Sequence, residues 1–287
     1  MWWIAGAAGL VLLLLLGNTA RNALGLSATR MSPDALSAML APAYDIRVPD
    51  GAPGPLPTAL LFSGCDGVRD NMGRWADALN AAGWAAVIVD SHGPRGYDDL
   101  NVWRLVCAGQ LLSGAERASD VAVALRDARA MAFADPDRIA LIGASHGGWA
   151  VLDFLALHGR GERPPLLRRW PAGLRGGDAP PGVVAALVLY PYCGALSLAA
   201  RRGWQADLPV MMLLVDGDTI TNESACLALA ARMQAAGRPV ATQVFPGVTH
   251  GFDQAEKAPL STLGHDPAAT REALRIGLAF LNDAAGR

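Results

Sequence analysis

The sequence predicts an α/β fold in which a mostly parallel, doubly wound sheet carries helices on both faces. Two patterns lead to this fold class: the predicted strands are almost continuously apolar, and helix-like segments separate them along the chain. Strands show such continuous apolar runs when helices cover both sides of a parallel sheet. The 287 residues are enough for one large domain with a full core, and no change of composition marks a second domain.

Predicted strands and helices alternate from residue 44 onward. A short strand and a Pro/Gly-rich turn come first, at residues 44–58. Further strands are expected at residues 58–64, 84–90, 135–143, 183–190, 208–216 and 240–245. Helices are expected at residues 71–83, 115–133, 146–157, 223–236 and 267–284, and a loop rich in Pro, Gly and Arg at residues 159–181. This alternation indicates βαβ units.

The first twenty residues form a separate segment. Residues 1–20 carry no charged side chain, and Arg21 ends the run. About 18 such residues can cross the hydrocarbon core of a membrane, and Trp2 and Trp3 suit the headgroup boundary. A cleaved signal sequence usually has a basic start and a small-residue cleavage site. No basic residue precedes this run, and residues 17–23 offer only a poor cleavage site. We therefore favour a transmembrane anchor over a signal sequence, and both over a buried helix, because no polar face interrupts the run.

The chain is divided accordingly into this apolar segment (residues 1–20), a linker (21–43) and one folded domain (44–287). Within the linker, residues 27–42 are expected to be either an extended connection or a short helix. Arg21 and Arg30 follow the segment, and the positive-inside rule would hold the domain in the cytoplasm. The four cysteines point the other way, because an oxidising compartment can pair an even number of them. We expect a membrane-anchored domain that faces the periplasm or the cell exterior. A cytoplasmic orientation, with four buried thiols, stays open.

The composition gives no support to several function classes. The net charge is −2, and no basic cluster with interleaved aromatic residues occurs, so nucleic acid is not an expected partner. No cysteine lies in a CxxC or Cys/His spacing that is typical of a zinc site. Neither a metal nor a cofactor is expected.

The clearest motif is Gly143-Ala144-Ser145-His146-Gly147, which fits G-x-S-x-G between a predicted strand and a predicted helix. This pattern is typical of the nucleophile elbow, a turn so tight that only small residues fit two positions before and after the serine. Such a turn exposes the serine Oγ at the sheet edge, close to the amides of a helix start. The alternative is an ordinary strand–helix turn with a small capping serine.

A serine hydroxyl needs a base to take its proton, and in this scaffold an acid and then a histidine follow the serine along the chain. His250, just past the last predicted strand, is the expected base, and His265 is the weaker candidate. Asp218, just past the preceding strand, is expected to orient the imidazole, with Asp216 as a serious rival. The alternative role for either aspartate is to cap the next helix.

Two backbone N–H groups are expected to hold the negative charge that develops on a bound carbonyl oxygen. One belongs to His146, directly after the serine. The other belongs to Cys65, in a loop after a predicted strand, where Gly64 and Gly67 let the backbone approach Ser145. A nucleophilic Cys65 thiol is the alternative, and it is disfavoured because Cys65 does not lie in an elbow.

Six short motifs appear in a characteristic order between residue 44 and the C-terminus: "FSGCDG", "VDSHGPRGY", "LIGASHGGWAVL", "LYPYCG", "VDGDTITNESAC" and "THGFD". In order and spacing they resemble the dienelactone hydrolase family of α/β-hydrolases, and "THGF" after the last strand is the most telling of them. The resemblance implies the α/β-hydrolase fold, with Ser145, Asp218 and His250 as a catalytic triad. It also implies an oxyanion-binding amide near Cys65.

Two positions depart from the pattern of that family. Dienelactone hydrolase itself carries a cysteine at the elbow, whereas this chain has Ser145, as many relatives do. The oxyanion loop of such relatives often begins with His-Gly, and here Ser63 and Gly64 stand in its place. Both departures weaken a dienelactone as the particular substrate, and the N-terminal membrane segment is an addition to the family's domain.

The expected activity is hydrolysis of a carboxylic ester, lactone or thioester of a small molecule through an acyl-enzyme on Ser145. Contact with a membrane is expected only through the N-terminal segment. A peptidase or an acyltransferase is the enzymatic alternative, because fold and triad do not determine the acceptor. The alternative from another class is a membrane-tethered binding protein without catalytic activity.

The remaining expectations concern the pocket wall and the cysteines. Arg95 lies beyond a strand end and is a candidate to bind a substrate carboxylate, or else it pairs with a local aspartate. Trp149, Tyr190 and Tyr192 are candidates for the pocket wall, or else they belong to the core. Four cysteines allow three connectivities. The favoured pairing is Cys65–Cys107 with Cys193–Cys226.

Overall fold

A seven-stranded sheet forms the centre of the computed structural model, which describes residues 2–23, 26, 29–97, 100–257, 261 and 263–287. The strands are β1 (Tyr44–Arg47), β2 (Leu56–Phe62), β3 (Ala85–Val89), β4 (Ala134–Ala144), β5 (Val183–Leu189), β6 (Val210–Val215) and β7 (Val240–Phe245). Their order across the sheet is β1-β3-β2-β4-β5-β6-β7. β1 is antiparallel to β3, and the other neighbouring strands are parallel. The predicted sheet is therefore confirmed.

Helices cover both faces of this sheet, as the fold class requires. They are α1 (Trp2–Ala23), α2 (Pro33–Leu40), α3 (Asp70–Ala81), α4 (Leu100–Cys107), α5 (Gly114–Arg129), α6 (His146–His158), α7 (Leu198–Arg202), α8 (Glu223–Ala235) and α9 (Pro267–Ala284). α3 and α9 bury side chains such as Trp75 and Leu281 in the cluster on one face. α2, α5, α6 and α8 contribute to the cluster on the other face.

The central strands are apolar along their whole length because both of their faces are covered. All residues of β2 and β3 are buried, and the last six residues of β4 are buried as well. Parallel strands all end at the same edge of a sheet, where loops rather than strand residues carry the polar groups. The loops after β4, β6 and β7 hold Ser145, Asp218 and His250 at this edge.

Within the predicted linker at residues 21–43, the short-helix alternative describes residues 33–40, which form α2 and pack against the folded domain. α2 packs against α5, and Leu36 and Leu40 are fully buried there. Ser37 Oγ also donates a hydrogen bond of 2.7 Å to Asp127 Oδ2 in α5. α2 is thus a short amphipathic helix whose apolar side packs into the core against α5. Residues 24, 25, 27 and 28 of the predicted linker, like Met1, lie outside the described residues.

α4 and α7 were not predicted from the sequence. They have 8 and 5 residues, which is too short for a helical period to stand out from a loop. α4 matters for the site, because its last residue, Cys107, is bonded to Cys65 in the loop after β2.

The N-terminal helix extends away from the domain for most of its length. Its segment Trp3–Asn22 is long and apolar enough to cross a membrane, and its most apolar window has no buried residue. A signal sequence near an N-terminus has the same length and composition, so this property alone does not separate the two.

The packing of α2 predicts a clear effect on stability. Replacing Leu36, which is fully buried, by Ala should lower the free energy of unfolding by about 2–4 kcal/mol, because the lost methyl groups leave a cavity in the core. Urea unfolding of the full chain measures this. Ala38→Gln, at an exposed position of the same helix, is the control and should change stability by less than about 0.5 kcal/mol. A free linker would predict equal, negligible effects for both variants.

Candidate active site

Ser145 lies in the single-residue connection between β4 and α6. Its backbone adopts φ 52° and ψ −113°, a left-handed conformation that side chains with a Cβ rarely adopt. Its N–H donates to the Leu189 carbonyl at the end of β5 at 2.8 Å, and its carbonyl accepts from the Trp149 N–H at 3.0 Å. The strand and the helix thus meet at the serine without an intervening loop. Hydrogen bonds from both elements keep the Ser145 backbone in this strained conformation.

The two outer glycines of the motif are sterically necessary. A Cβ on Gly143 would lie 2.5 Å from the backbone of Gly147, and a Cβ on Gly147 would lie 2.1 Å from the Phe62 carbonyl oxygen. Neither approach is allowed, and in both cases the obstacle is backbone that cannot move aside. The sharp turn therefore depends on these glycines, as the motif predicts.

His250 and Asp218 come within hydrogen-bonding distance of the serine in a chain. His250 Nε2 lies 2.9 Å from Ser145 Oγ, and His250 Nδ1 lies 2.7 Å from Asp218 Oδ2. His250 follows β7 and Asp218 follows β6, so two adjacent strand ends bring them together. Asp216 and His265, the rivals from the sequence, do not take these places: the Asp216 side chain is exposed, and His250 rather than His265 contacts the serine.

The carboxylate of Asp218 is held in its charged form. Burial alone would raise its pKa, but the hydrogen bonds to it outweigh burial and lower the pKa below its ordinary value. The donors are His250, the Thr221 hydroxyl at 2.8 Å, and the backbone N–H groups of Ile220 and Thr221 at 2.9 and 3.3 Å. An ionised Asp218 fixes the imidazole tautomer with hydrogen on Nδ1, which leaves Nε2 free to accept from Ser145.

A second buried carboxylate, that of Asp253, supports His250 through Tyr190, and it was not predicted from the sequence. The ring of Tyr190 packs edge-on against His250, with the ring centroids 4.7 Å apart. The Tyr190 hydroxyl donates to Asp253 Oδ1, and Trp75 Nε1 donates to Asp253 Oδ2 at 2.9 Å. Burial raises the pKa of Asp253 above its usual value. "THGFD" contains this aspartate, but only its contacts with distant residues reveal what it does.

The two backbone segments expected to bind an oxyanion lie on either side of Ser145. A Cβ on Gly64 would be 3.8 Å from the Ser145 Cβ, so the loop after β2 passes directly over the serine. Cys65 borders the same cavity as Ser145, and His146 is the first residue of α6. The disulfide bond from Cys65 to Cys107 ties this loop to α4.

Arg117 connects these two segments beneath the surface, and nothing in the sequence identified it. Its Nη1 donates to the Ser63 carbonyl at 2.9 Å and lies 3.1 Å from His146 Nδ1. Burial and the Arg117 charge lower the pKa of His146 well below its ordinary value, so the neutral ring accepts this hydrogen bond. Burial lowers the pKa of Arg117 to about 10, which leaves it charged at neutral pH. Its Nε and Nη2 have no partner among the described residues.

A cavity of about 390 Å³ opens beside Ser145 and His250. Trp103, Arg104 and Ile220 are among the residues that line it. A smaller neighbouring cavity of about 150 Å³ shares Ser145 and Cys65, and the predicted wall residues Trp149 and Tyr192 border this second space. Tyr190, the third aromatic candidate, borders the larger cavity.

Arg95 corrects an expectation from the sequence. It was a candidate for binding a substrate carboxylate, but it forms a two-pronged ion pair with the buried Asp120, at 3.0 and 2.7 Å, and donates to the Ser91 carbonyl. It borders a different cavity from Ser145. The Arg95 guanidinium is therefore engaged with Asp120 and Ser91 and does not face the Ser145 cavity. Pairing with a local aspartate was the alternative that the sequence left open.

The cysteines form two disulfide bonds, Cys65–Cys107 and Cys193–Cys226. The second bond joins the loop after β5 to α8, on the side of the sheet edge where Asp218 lies. Within the part of the chain that the structure describes, no three His, Cys, Asp or Glu side chains are grouped to hold a metal ion.

Comparisons with known proteins agree with this architecture. Residues 176–285 match the family model described as the dienelactone hydrolase family. A putative dienelactone hydrolase from Klebsiella pneumoniae has 16% sequence identity and a TM-score of 0.62, and the match covers 83% of this chain and 91% of that one. No curated protein matches the sequence.

Two further solved structures are similar. Esterase 2 from Thermogutta terrifontis, phosphoramylated by tabun, has 17% identity and a TM-score of 0.60, with 84% of this chain and 88% of that chain covered. A dienelactone hydrolase-like promiscuous phosphotriesterase from metagenomic libraries has 16% identity and a TM-score of 0.57, with 84% and 92% covered. At identities this low, the similar structures support the fold alone. The family model matches the C-terminal part of the sequence. The resemblance inferred from the sequence is confirmed: the chain has the fold of the α/β-hydrolases, and its residues 176–285 match the dienelactone hydrolase family.

Proposed function

We propose that the protein is a serine hydrolase that cleaves a carboxylic ester, lactone or thioester through an acyl-enzyme on Ser145. The observation that carries this proposal is the continuous hydrogen-bonded chain from Ser145 Oγ through His250 to Asp218, at 2.9 and 2.7 Å, beside an open cavity. The similar solved structures include a putative dienelactone hydrolase and an esterase, which supports the same reaction class.

The geometry supports a two-step mechanism. His250 Nε2 takes the proton of Ser145 as its Oγ attacks the carbonyl carbon, and Asp218 stabilises the imidazolium that forms. The imidazolium then gives this proton to the departing alcohol or thiol, and the acyl group remains on Oγ. In the second step, a water molecule loses a proton to His250 and attacks the acyl carbon. The acid is released, and the proton returns to Ser145.

The carbonyl oxygen becomes negatively charged in each step. The N–H groups of Cys65 and His146 are the proposed donors to it, since the loop after β2 and the start of α6 flank the serine. The start of a helix adds a favourable dipole at this point. The buried Arg117 holds both segments through the Ser63 carbonyl and the His146 ring.

Two other enzyme classes share this triad with an esterase: a peptidase differs in the bond that it cleaves, and an acyltransferase differs in the acceptor of the acyl group. A peptidase or an acyltransferase would use the same three side chains, and a tethered binding protein would keep the cavity without the reaction. Labelling, turnover and positioning are therefore tested separately.

Covalent labelling tests the nucleophile. A fluorophosphonate probe should label the wild-type protein, because the activated Oγ attacks phosphorus as it attacks a carbonyl, and Ser145→Ala should abolish labelling. Ser261 borders the same cavity, so Ser261→Ala is the matched control and should still be labelled. In-gel fluorescence measures the result. Equal labelling of wild type and Ser145→Ala would rule out Ser145 as the nucleophile.

Turnover tests the base and the acid. His250→Ala should lower kcat on an aryl ester by at least ~10³-fold, and Asp218→Asn by at least ~10²-fold, because each loses proton transfer or the correct tautomer. His265→Ala and Asp216→Asn are matched controls that should retain near-normal kcat. Steady-state kinetics with unfolding curves for all four variants separate chemistry from stability. Normal activity of His250→Ala would contradict the assignment.

Arg117 is expected to be a positioning residue. Arg117→Met should lower kcat by about 10²-fold with little change in KM. The variant removes the support shared by the two oxyanion donors, and these donors stabilise the charged transition state rather than the bound ester. Affinity for a trifluoromethyl ketone, which mimics the tetrahedral state, should fall with kcat, and Arg117→Lys should recover part of both. A rise in KM with unchanged kcat, or a loss that follows stability alone, would contradict this role.

A further inference from the structure

The last turns of α1 are bound to the folded domain by specific hydrogen bonds. Asn18 Nδ2 donates to the Gln110 carbonyl at 2.8 Å, and Asn22 Nδ2 donates to the same carbonyl at 2.7 Å. The Gln110 side chain donates in return to Thr19 Oγ1 at 2.8 Å. Asn22 is only 4% exposed. A passive tether needs no such contacts, and a cleaved signal sequence would lose them.

The residue that receives these bonds is joined directly to the wall of the Ser145 cavity. The Gln110 N–H donates to the Leu105 carbonyl in α4 at 2.8 Å. α4 is about 12 Å long at 1.5 Å per residue, and Trp103, Arg104 and Cys107 line the cavity. Cys107 is bonded to Cys65 in the loop over the serine. A short, cross-linked path therefore leads from the end of α1 to the candidate active site.

Exposed side chains of α4 and of a residue after α1 suit a lipid surface. Leu105 is 42% exposed and Leu26, just after α1, is 71% exposed. The Arg104 guanidinium lies over the Trp103 ring, 5.6 Å from its centroid. Tryptophan is enriched at the membrane–water interface, and arginine is attracted to anionic headgroups.

From these contacts we propose that α1 is retained as a membrane anchor that holds the mouth of the Ser145 cavity against the bilayer, so that the substrate is a long-chain carboxylic ester drawn from the membrane. This inference rests on the proposed hydrolase function. The ester's chain would lie against Trp103 and Ile220, whose side chain is 55% exposed at the cavity. Water would be the second reactant, and the products would be a long-chain acid or alcohol and its partner.

The test uses the full chain reconstituted into vesicles of phosphatidylcholine and phosphatidylglycerol. Two fluorogenic esters share one leaving group: 4-methylumbelliferyl oleate, which partitions into the bilayer, and 4-methylumbelliferyl butyrate, which stays mainly in water. The measured quantity is the ratio of the oleate rate to the butyrate rate. Because both esters release the same leaving group, a change of this ratio between variants with an unaltered cavity reports access from the membrane.

Undocking the anchor should change this ratio selectively. Asn18→Ala, Thr19→Ala and Asn22→Ala combined keep the apolar helix but remove its side-chain hydrogen bonds to Gln110, and the ratio should fall by about fivefold or more while the butyrate rate stays normal. Gln243→Ala, an exposed amide on β7, is the control and should leave the ratio unchanged. A normal ratio in the undocked variant would overturn the proposal.

A second pair of variants tests the surface itself. Leu105→Glu should lower the ratio, because it places a negative charge on the face proposed to meet anionic lipid. Ile46→Glu makes the same change at a 44% exposed position of the edge strand β1 and should not. Equal effects of the two variants would contradict a specific membrane-facing surface.

Two outcomes separate this inference from the proposed function. Hydrolysis of butyrate but not of oleate, or an intact mass that lacks residues 1–20, would overturn the membrane-facing cavity and leave the hydrolase intact. Hydrolysis of neither ester, with no labelling of Ser145, would overturn the function itself.

Discussion

The steric limit at the turn between β4 and α6 is the constraint on which the rest of the site depends. A Cβ at Gly147 would come within 2.1 Å of the Phe62 carbonyl, so the helix starts in contact with the neighbouring strand. The connection is then a single residue, and Ser145 takes the left-handed conformation, with φ 52°. Its side chain is fixed by backbone on both sides rather than by its own rotamer preferences. A looser turn would leave the hydroxyl without a defined position for any base.

The other strand ends bring their groups to this fixed oxygen. His250 is held between Asp218 on one side and the Tyr190 ring on the other, and Tyr190 is fixed in turn by Asp253. Beneath the serine, Arg117 connects the two backbone segments proposed to bind the oxyanion. Each of these groups is buried and hydrogen-bonded, so the site is organised before a substrate arrives. Such organisation is what lowers the energy of a charged transition state.

The sequence predicted most of the sheet because a strand covered on both faces leaves an unbroken apolar run. It also narrowed the candidate site to the strand ends, since the small residues around Ser145 form a motif within five consecutive positions. Arg117 and Asp253 escaped notice because their partners, such as Ser63 and Trp75, are 54 and 178 residues away along the chain. The burial of Leu36 and the pairing of Arg95 with Asp120 likewise depend on contacts that no local pattern encodes.

The tight turn between β4 and α6 is proposed to make Ser145 Oγ the acceptor of the acyl group. Mass spectrometry after rapid acid quench of the protein with a slowly hydrolysed p-nitrophenyl ester tests it most directly. Cleavage after arginine yields the peptide of residues 139–160, which contains Ser145 as its single serine. This peptide alone should carry the acyl mass, on the serine. An acyl group on another peptide, or none in spite of p-nitrophenol release, would contradict it.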